Sequence, residues 1–460
     1  MTATTRRDAL LLVGVVGLAA VLRAAGIGYG LPFPLLNPDE QSVVPRAWEM
    51  ANGGGLDPGW YDYPSLLMLA LVPTQAFSSE ASYGAARGLV LLVGLAGVVA
   101  TWWLGRAAYG RWSALVGAAA IAVATTHVAY SRMAVTDALL MLGVCVTLAL
   151  LVTGRIEWAG LALGVTASAK YPGALLAVPL VVASWRRWQR LLRAGGLAIA
   201  GFALTSPFVI IHAGTAWHDV RRVQRLGEAG WLGFEDDSVT PFAFLVRLWE
   251  AVGPVLAIGC LVLVVALRRR SRADVVLVSF VAVYWLSLMP LEAHFDRYVL
   301  PLVPVLAVLA GSVRAAAPFA LVLLLVPLVW SVGDARRLTG EDTRVHASRW
   351  IDANVPQHEV IAADPSTLPL AARNALRLRL PGPGRPEDPR RALGVLQRAG
   401  VRWVLVTGAV ADRVASHPEL YPRTAAFYRD LSRRAELAFA ATDDEPGLTG
   451  PWVRVYRLVS

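Results

Sequence analysis

The amino-acid sequence predicts a polytopic α-helical membrane protein with about eleven transmembrane helices, followed by a small extracytoplasmic α/β domain. Hydrophobic residues make up 56% of the 460 residues and charged residues 17%, with a mean hydropathy of +0.52. These values exclude a soluble enzyme with a single apolar helix. The arginines stand in short clusters between apolar runs, which is typical of membrane topology. The formal charge of +10 therefore indicates contact with a lipid bilayer and no nucleic-acid binding.

The membrane spans are predicted from apolar runs of about 17–25 residues. The first run follows Arg6-Arg7 and has no convincing cleavage site, so we interpret it as an uncleaved span that begins in the cytoplasm. Residues 63–77 are apolar but short, and we interpret them as a juxtamembrane or re-entrant helix within the first outer loop, 30–84. The predicted spans are residues 9–29, 85–105, 112–130, 137–153, 157–170, 173–185, 195–212, 242–267, 273–290, 298–313 and 316–333.

The arginine clusters decide the orientation of these spans. With a cytoplasmic N-terminus, nearly every cluster between spans falls in a cytoplasmic loop, as the positive-inside rule requires. A span at 63–77 would turn all later clusters outward. The sequence therefore predicts a multi-pass protein of the cell membrane, with its N-terminus in the cytoplasm and its C-terminal domain outside.

The chain changes character after Gly333, which separates a transmembrane domain, 1–333, from a soluble domain, 334–460. The alternation of strand and helix patterns predicts a small α/β domain. Its role stays open between a lid, an acceptor-docking module and a structural cap. Helices are predicted over Val345–Asn354 and Pro389–Ala399, and strands over Val360–Ala363, Trp403–Thr407, Glu436–Ala441 and Trp452–Leu458.

Lys170 is the only lysine in the chain, beside 42 arginines. It stands between apolar runs, where a charge at a bilayer centre costs roughly 2.5–3.5 kcal/mol, so it is a functional candidate. An ammonium suits a single phosphate oxygen. The alternatives are chance retention and a snorkelling lysine at a helix end.

Three carboxylates are predicted to face the same outer side and to carry the chemistry. Asp39 and Glu40 follow a stiff, proline-rich stretch of the first outer loop, and Asp137 begins the fourth predicted span. One carboxylate could be a general base for an acceptor hydroxyl, and another could orient the acceptor or hold a divalent cation. The alternatives are a solvated acidic loop for Asp39-Glu40 and a helix N-cap for Asp137. No cofactor is certain, and a metal stays unknown.

Cationic and aromatic residues on the same side complete the predicted site. Arg297 stands where an apolar span meets the outer water, at the depth of a lipid phosphate. Its alternative is an ion pair with Asp296 or Glu292, or an interface anchor. Candidate phosphate ligands are Lys170, Arg297 and Arg132, and candidate substrate-binding residues are Tyr63, Tyr171, His294 and Tyr298.

Taken in order, these motifs resemble the GT-C superfamily of membrane glycosyltransferases over roughly residues 10–310. The nearest type is glycosyltransferase family 39, akin to protein O-mannosyltransferases and lipid A aminoarabinose transferases. One departure is Ser65, where that family usually has a second proline. The motifs that carry the resemblance are Asp39-Glu40, Tyr61-Asp62-Tyr63-Pro64-Ser65-Leu66, Arg132 to Asp137, Lys170-Tyr171-Pro172-Gly173 and Arg297-Tyr298-Val299-Leu300-Pro301.

The resemblance implies an inverting transfer of a sugar from a polyprenyl-phosphate donor to an extracytoplasmic acceptor, which could be a cell-envelope glycan, a lipid or a protein. It implies that Asp39, with Glu40 beside it, acts as base or positions the acceptor, and that Asp137 is a second acidic residue. Neutralisation of the phosphate by Lys170 and Arg297 follows from their charge and depth. The competing class is a transporter or lipid flippase, although such proteins place charges near the midplane, within internal repeats.

Overall fold

The computed structural model describes residues 3–368, 370 and 373–458, with side chains from residue 6 onward. Residues 369, 371–372 and 459–460 of the predicted C-terminal domain lie outside this part. Short 3-10 helices cover Tyr171–Leu176 and Asp296–Leu302. The α-helices before the first strand are α1 (Ala3–Ala24), α2 (Glu40–Ala51), α3 (Leu66–Gln75), α4 (Tyr83–Ala108), α5 (Arg111–Val123), α6 (Thr125–Tyr130), α7 (Asp137–Val152), α8 (Ile156–Ala169), α9 (Ala177–Ser184), α10 (Trp188–Thr205), α11 (Pro207–Ile211), α12 (Ala213–Glu228), α13 (Thr240–Val252), α14 (Val255–Arg269), α15 (Arg272–Leu288), α16 (Val303–Ala310), α17 (Ala317–Leu323) and α18 (Leu325–Arg337).

Long apolar helices are fewer than the predicted spans. Among the described residues, two segments are long and apolar enough to cross a membrane, Tyr83–Ala108 and Ala317–Arg337. A third is obtained if the bent pair α13 and α14 is counted as one span. Other apolar helices, including α5, α7 and α8, have 10–17 residues. The arrangement of eleven spans therefore stays a prediction.

The structure corrects the predicted run 242–267, which is two helices bent by 119° at their junction. Gly253 between them has a φ of 61°, in the left-handed region that glycine adopts without steric cost. Pro254 follows, and its ring prevents the preceding helix from continuing. The Gly-Pro dipeptide thus ends α13 and starts α14 in a new direction.

Among the described residues, the strands all lie between residues 341 and 457, which we call the sheet region. In the described chain, the main sheet has five strands in the order β3-β2-β4-β7-β5, and β1 pairs with β6 in a separate small sheet. Strands β3, β2 and β4 run parallel, whereas β7 is antiparallel to β4 and β5. The elements are β1 (Glu341–Asp342), α19 (Thr343–Asn354), β2 (Val360–Ala363), β3 (Ala375–Arg377), α20 (Leu393–Arg398), β4 (Val401–Thr407), α21 (Gly408–Ser416), α22 (Pro422–Arg434), β5 (Glu436–Ala441), β6 (Leu448–Thr449) and β7 (Val453–Arg457).

Helices cover both faces of this sheet, because side chains alternate between the faces along each strand. Val404 of β4 packs in a buried cluster with Phe427 of α22, whereas Leu405 packs with Ile351 of α19 on the other face. The four predicted strands and the helix over 343–354 match the structure within two residues, whereas β3 was not predicted. The predicted helix Pro389–Ala399 is shorter, since only Leu393–Arg398 is helical.

The sheet region is tied to two outer loops of the helical part. Arg344 of α19 donates from Nη2 to the carbonyl of Leu35 in the first outer loop, at 3.1 Å. Tyr421 donates to Glu235 at 2.5 Å, in the loop that follows α12. These contacts place the carboxyl ends of β2 and β4 beside the segment that carries Asp39.

Candidate active site

Asp39 stands at the start of α2 and holds two partners from distant parts of the chain. Its Oδ2 accepts a hydrogen bond from the Tyr63 hydroxyl at 2.9 Å and one from Arg297 Nη1 at 2.6 Å. The Asn37 side chain accepts a bond from the Asp39 backbone N–H at 2.9 Å. Arg297 therefore pairs through its side chain with Asp39, and not with Asp296 or Glu292.

These contacts set the protonation of Asp39 and Tyr63. Burial opposes ionisation of Asp39, but the Arg297 charge and the bonds from Tyr63 and Arg297 outweigh it and hold the pKa of this carboxyl below its usual value. Burial and the nearby Asp39 and Asp137 carboxylates raise the pKa of Tyr63 well above its ordinary value. At neutral pH, Asp39 is thus an ionised acceptor and Tyr63 a neutral donor.

Lys170 and Asp137 form a second ion pair beside the first. Lys170 Nζ lies 2.6 Å from Asp137 Oδ1, and the side chains are 9% and 2% exposed. Lys170 ends α8 in an extended conformation, and Asp137 is the first residue of α7. The ammonium also lies 5.5 Å from the Tyr63 ring centroid and 5.8 Å from that of Tyr298, where ring faces attract a cation.

Three members of these ion pairs, Lys170, Asp137 and Arg297, line one cavity of about 340 Å³, which we call the Lys170 cavity. Its polar end is formed by Lys170, Asp137, Arg297 and Tyr63, and Tyr171 and Tyr298 stand at the same end. The remaining wall is mostly apolar, with leucines, valines, prolines and an alanine, and it also includes Asp62, Gln224 and Ser287. This combination suits a ligand with a charged head and an apolar body. The apolar wall residues include Leu140, Leu175, Val220, Val223, Leu288 and Leu291.

Two buried polar atoms at this end have no hydrogen-bond partner among the described residues: Arg297 Nε and Asp137 Oδ2. A buried donor without an acceptor costs free energy, roughly 1–3 kcal/mol and more for a charged group. The free N–H of Arg297 therefore favours a ligand oxygen in the cavity.

The cations Lys170 and Arg297 face the carboxylates Asp137 and Asp39, and a third carboxylate of the cavity wall, Asp62, is paired with Arg222 at 2.5 Å. A phosphate would therefore share cations that the carboxylates already hold. Arg297 can do this, because Nη1 is bound to Asp39 while Nε has no partner among the described residues. Lys170 has three donor hydrogens and is bonded at Asp137. The geometry thus allows an anion to join the cluster without breaking either ion pair.

Glu40 is placed differently from its prediction as a catalytic residue. Arg87 of α4 holds both of its carboxylate oxygens, each at 2.8 Å, and the Ala134 backbone N–H donates to Oε1 at 2.9 Å. The side chains of Glu40 and Arg87 are 0% exposed. Because its acceptor positions are occupied, we propose that Glu40 positions Asp39, and its catalytic role stays a prediction.

Arg132 and His294 also lie away from the Lys170 cavity. Arg132 is buried, and its Nη2 donates to the carbonyl of Leu22 in α1. His294 is buried between Asp237 and Thr240, at 3.1 and 3.2 Å. Neither lines this cavity, and their roles as phosphate and substrate ligands stay predictions.

The tyrosines Tyr63, Tyr171 and Tyr298, predicted to bind substrate, line the Lys170 cavity. Tyr171 donates from its hydroxyl to the carbonyl of Tyr61 at 2.9 Å, which leaves its ring as a wall. A ligand role for each tyrosine stays a prediction.

Sequence reasoning missed Arg87 and the helix α12. Helix α12 contributes Val220, Val223 and Gln224 to the cavity wall. Its apolar residues recur at helical spacing between charged ones, and this amphipathic pattern was the available signal. For Arg87, the available signal was a lone arginine in the second turn of an apolar helix.

Within residues 3–368, 370 and 373–458, no group of three or more His, Cys, Asp or Glu side chains is arranged to hold a metal ion. Cys145 and Cys260 are free thiols.

Comparison with protein families gives one match, since the model of glycosyltransferase family 87 matches residues 60–291. This half of the chain contains Tyr63, Asp137 and Lys170. By sequence, no curated protein matches the chain.

Comparison with solved structures gives similar folds at low identity. ArnT from Cupriavidus metallidurans in the apo state aligns with a TM-score of 0.63 and 15% identity, over 99% of this chain and 98% of that one. The same protein bound to undecaprenyl phosphate gives a TM-score of 0.61 and 15% identity, over the same 99% and 98%. The oligosaccharyltransferase AglB from Archaeoglobus fulgidus, in complex with an inhibitory peptide and a dolichol-phosphate, gives 0.61 at 13% identity, over 98% and 74%. These likenesses establish a shared fold.

Proposed function

Because the chain belongs to glycosyltransferase family 87, we propose that it transfers a sugar from a polyprenyl-phosphate donor to an acceptor hydroxyl outside the cytoplasm, with inversion. The GT-C superfamily predicted from the sequence motifs is confirmed. Family 87, and not family 39, is the family whose model matches. The chain is thus a membrane glycosyltransferase, and the donor, the acceptor and the roles of individual residues are the proposal.

The observation that carries the donor class is the Lys170 cavity, with cations at one end and leucine and valine walls beyond them. A polyprenyl phosphate has the same division, because its phosphate is charged and its isoprenoid chain is apolar. The unpartnered Nε of Arg297 would donate to a phosphate oxygen, and Lys170 would donate to another. Proteins of similar fold have been solved with undecaprenyl phosphate and dolichol-phosphate, which supports this donor class.

The reaction is a single displacement at the anomeric carbon. The acceptor oxygen forms a bond to this carbon while the bond from the carbon to the phosphate oxygen breaks, so the configuration inverts. Asp39 takes the proton of the acceptor hydroxyl. The electron pair of the broken bond stays on the phosphate, which changes from a diester with one negative charge to a monoester with two.

Arg297 links the protonation of Asp39 to the gain of negative charge on the leaving phosphate. In the unliganded protein its charge keeps the pKa of Asp39 low, which makes this carboxylate a weak base. A bound phosphate would share the guanidinium and would bring its own negative charge, and both effects raise the basicity of Asp39. As Asp39 gains the proton, the freed charge of Arg297 then stabilises the leaving phosphate.

The placement in the membrane belongs to the same proposal. The lipid donor requires the Lys170 cavity to lie near a bilayer surface, since the isoprenoid chain stays in lipid while its head group reacts. Together with the positive-inside rule, this supports a cytoplasmic N-terminus and an extracytoplasmic sheet region. The division into a transmembrane domain over 1–333 and a soluble domain over 334–460 belongs to this proposal, with the boundary falling inside α18, which ends at Arg337.

The test is sugar transfer by the full-length protein in proteoliposomes. Radiolabelled polyprenyl-phosphate mannose, arabinose, galactose and glucose are supplied with a membrane-lipid and cell-envelope extract as the acceptor source. We expect transfer from one of these donors by the wild type and loss of this transfer in Asp39→Asn. Glu80→Gln is the matched control, because Glu80 is an exposed carboxylate of the same outer loop and should leave transfer unchanged.

Two results would overturn the proposal. The first is equal transfer by Asp39→Asn and the wild type, which would remove the base. The second is movement of the labelled lipid across the bilayer without any sugar transfer, which would assign the protein to the transporter or flippase class.

A further inference from the structure

A second cavity, of about 490 Å³, lies between the first outer loop and the sheet region. We call it the loop–sheet cleft. Its loop wall includes Leu35, Pro38 and Gln41, and its sheet wall includes Asp364, Arg377 and the first turn of α21 at Ala409. Its volume is in the range of sites for small ligands, roughly 300–1,000 Å³.

The position of the cleft in the sheet is one where α/β proteins bind ligands. Strands β2 and β4 are parallel neighbours, but their connections leave in opposite directions. The chain after β2 leads to β3 at one edge, whereas the chain after β4 leads through α21 and α22 to β5 at the other edge. A crevice opens at the carboxyl ends of strands at such a switch point. The cleft lies there, since Asp364 directly follows β2 and Ala409 follows β4.

The floor of the cleft is fixed and carries no free negative charge. Asp364 pairs with Arg391 at 2.8 Å, and both side chains are 0% exposed. Its second oxygen accepts a bond from the Tyr428 hydroxyl at 2.6 Å. The carboxylate is therefore neutralised by neighbours beneath the cleft, and it does not repel a ligand above it.

Arg344 holds the two walls of the cleft together. It donates from Nη1 to the carbonyl of Ser366 on the sheet side, at 3.2 Å, and from Nη2 to the carbonyl of Leu35 on the loop side, at 3.1 Å. Its guanidinium is also bound to Asp342 at 2.6 Å. The separation of the walls is thus set by a saturated arginine, so the cleft is preformed.

The free polar groups of the cleft define the ligand class. Gln41 and Arg377 line it and are exposed, and their side chains make no hydrogen bond or ion pair to the described part of the chain. An amide offers two donors and one acceptor, and a guanidinium offers donors only. Apart from Arg344 and Asp364, the rest of the wall consists of leucines, prolines and alanines with Ser366 and Thr367. Such a mixture suits the hydroxyls and C–H faces of a sugar.

We propose that the loop–sheet cleft binds the saccharide part of the acceptor; this rests on the proposed glycosyltransferase function and names the acceptor class. Pro38 and Gln41 line the cleft, while Asp39 between them contacts Arg297 and Tyr63, which line the Lys170 cavity. The first outer loop therefore separates the two cavities, with Asp39 between them. A glycan in the cleft would reach Asp39 from the side opposite the donor.

The proposal is tested by direct binding to the detergent-solubilised, full-length protein. The probes are mannotetraose, galactotetraose and glucotetraose, each neutral or carrying one phosphate, and binding is measured by ligand-observed NMR. We expect one of these tetrasaccharides to bind the wild type and to bind Gln41→Ala/Arg377→Ala about tenfold or more weakly, since charge-assisted hydrogen bonds are lost. Arg398→Ala changes an exposed arginine on α20, outside the cleft, and should bind like the wild type.

Binding of none of the probes, or equal binding by the wild type and the double variant, would overturn the cleft as a saccharide site. Once an acceptor is known, steady-state transfer separates the two proposals. The cleft predicts a raised KM for the acceptor in the double variant, with an unchanged KM for the donor. An unchanged acceptor KM would overturn the cleft while the transferase stands. Tetrasaccharide binding without transfer by the wild type would instead overturn the transferase and keep the saccharide site.

Discussion

The ion pair of Arg87 and Glu40 predicts that the neighbouring acidic residues Asp39 and Glu40 play different roles. Asp39 bonds to Tyr63 and Arg297, which line the Lys170 cavity, whereas Glu40 has a fully buried partner. If Glu40 only fixes the loop, replacement of the whole pair by apolar residues should keep sugar transfer. We therefore consider Arg87→Met, Glu40→Leu and the double variant. The unbranched methionine and the branched leucine are apolar and similar in volume to the side chains that they replace.

The expected magnitudes follow from the contacts. Arg87→Met removes two bonds at 2.8 Å and leaves Glu40 buried with the Ala134 N–H, which costs about 3–5 kcal/mol for a broken buried pair. The same range applies to Glu40→Leu, because Arg87 is then stranded. The double variant removes both charges and loses the bonds from Arg87 to the carbonyls of Ile27 and Tyr29. We expect its loss in free energy of unfolding to be about 2–3 kcal/mol smaller than the sum of the losses in the two single variants.

Stability is measured by unfolding in mixed detergent micelles, followed by tryptophan fluorescence, and activity by transfer from the labelled donor. We expect the double variant to fold and to retain measurable transfer at a reduced rate, since Asp39 remains but its loop is less firmly held. If the stability losses of the two single variants add up to the loss of the double variant, the coupling between Arg87 and Glu40 is contradicted. A folded double variant without any transfer would refute the positioning role and restore Glu40 as a chemical participant.

Three further predictions concern the charged clusters. In Arg297→Gln, the pKa of Asp39 rises, because the charge that lowers it is gone. The ionised form of Asp39 is present above its pKa and is lost as the pH falls through it. With a raised pKa, this loss occurs at a higher pH, so the acid limb of the pH–rate profile moves to higher pH. An unmoved limb would exclude Asp39 as the titrating group. Tyr63→Phe removes one bond to Asp39 and should move the same limb upward by less, and a larger shift than in Arg297→Gln would contradict this order. Arg391→Met strands the buried Asp364 and should destabilise the sheet region by about 3–5 kcal/mol, measured by hydrogen exchange of β2 and β4; unchanged protection would show that the pair is dispensable.

The sequence predicts the members of the central cluster better than their partners. The types and order of Asp39, Asp137, Lys170 and Arg297 indicate one outer site, and the structure brings these four side chains together. That Lys170 pairs with Asp137 and Arg297 with Asp39 depends on how α7, α8 and the 3-10 helix at 296–302 pack. Such pairing is a tertiary property, which local pattern does not encode.

Arg132, His294 and Glu40 show the converse limit. All three are polar residues within the predicted outer motifs, but each bonds to a neighbour outside the Lys170 cavity, although Arg132 Nε has no partner among the described residues. A sequence motif cannot distinguish a buried, saturated polar group from one that faces a ligand, because both need the same residue types. The partners here, such as Arg87 for Glu40 and Asp237 for His294, are 47 and 57 residues away.

The secondary structure was predictable where one local signal dominates. Strands β2 and β5 match their predicted bounds, because short apolar runs flanked by turn residues favour strands. The bend at Gly253-Pro254 was also encoded locally. A hydropathy window, however, sums apolar residues and does not detect a change in chain direction between two helices. The lengths of the apolar helices depend on such breaks, which is why the predicted spans exceed the long helices among the described residues.

The most direct test of the account is the affinity of the Lys170 cavity for undecaprenyl phosphate, measured by native mass spectrometry on the full-length protein. The variant is Lys170→Met/Asp137→Asn, which removes the cation without stranding its buried partner. We predict a loss of about 10–150-fold relative to the wild type, since a charge-assisted bond is worth about 1.5–3 kcal/mol. Arg398→Met, the control, should bind normally. Equal affinity of the double variant and the wild type, with both folded, would contradict the assignment of this cavity to the phosphate of the donor.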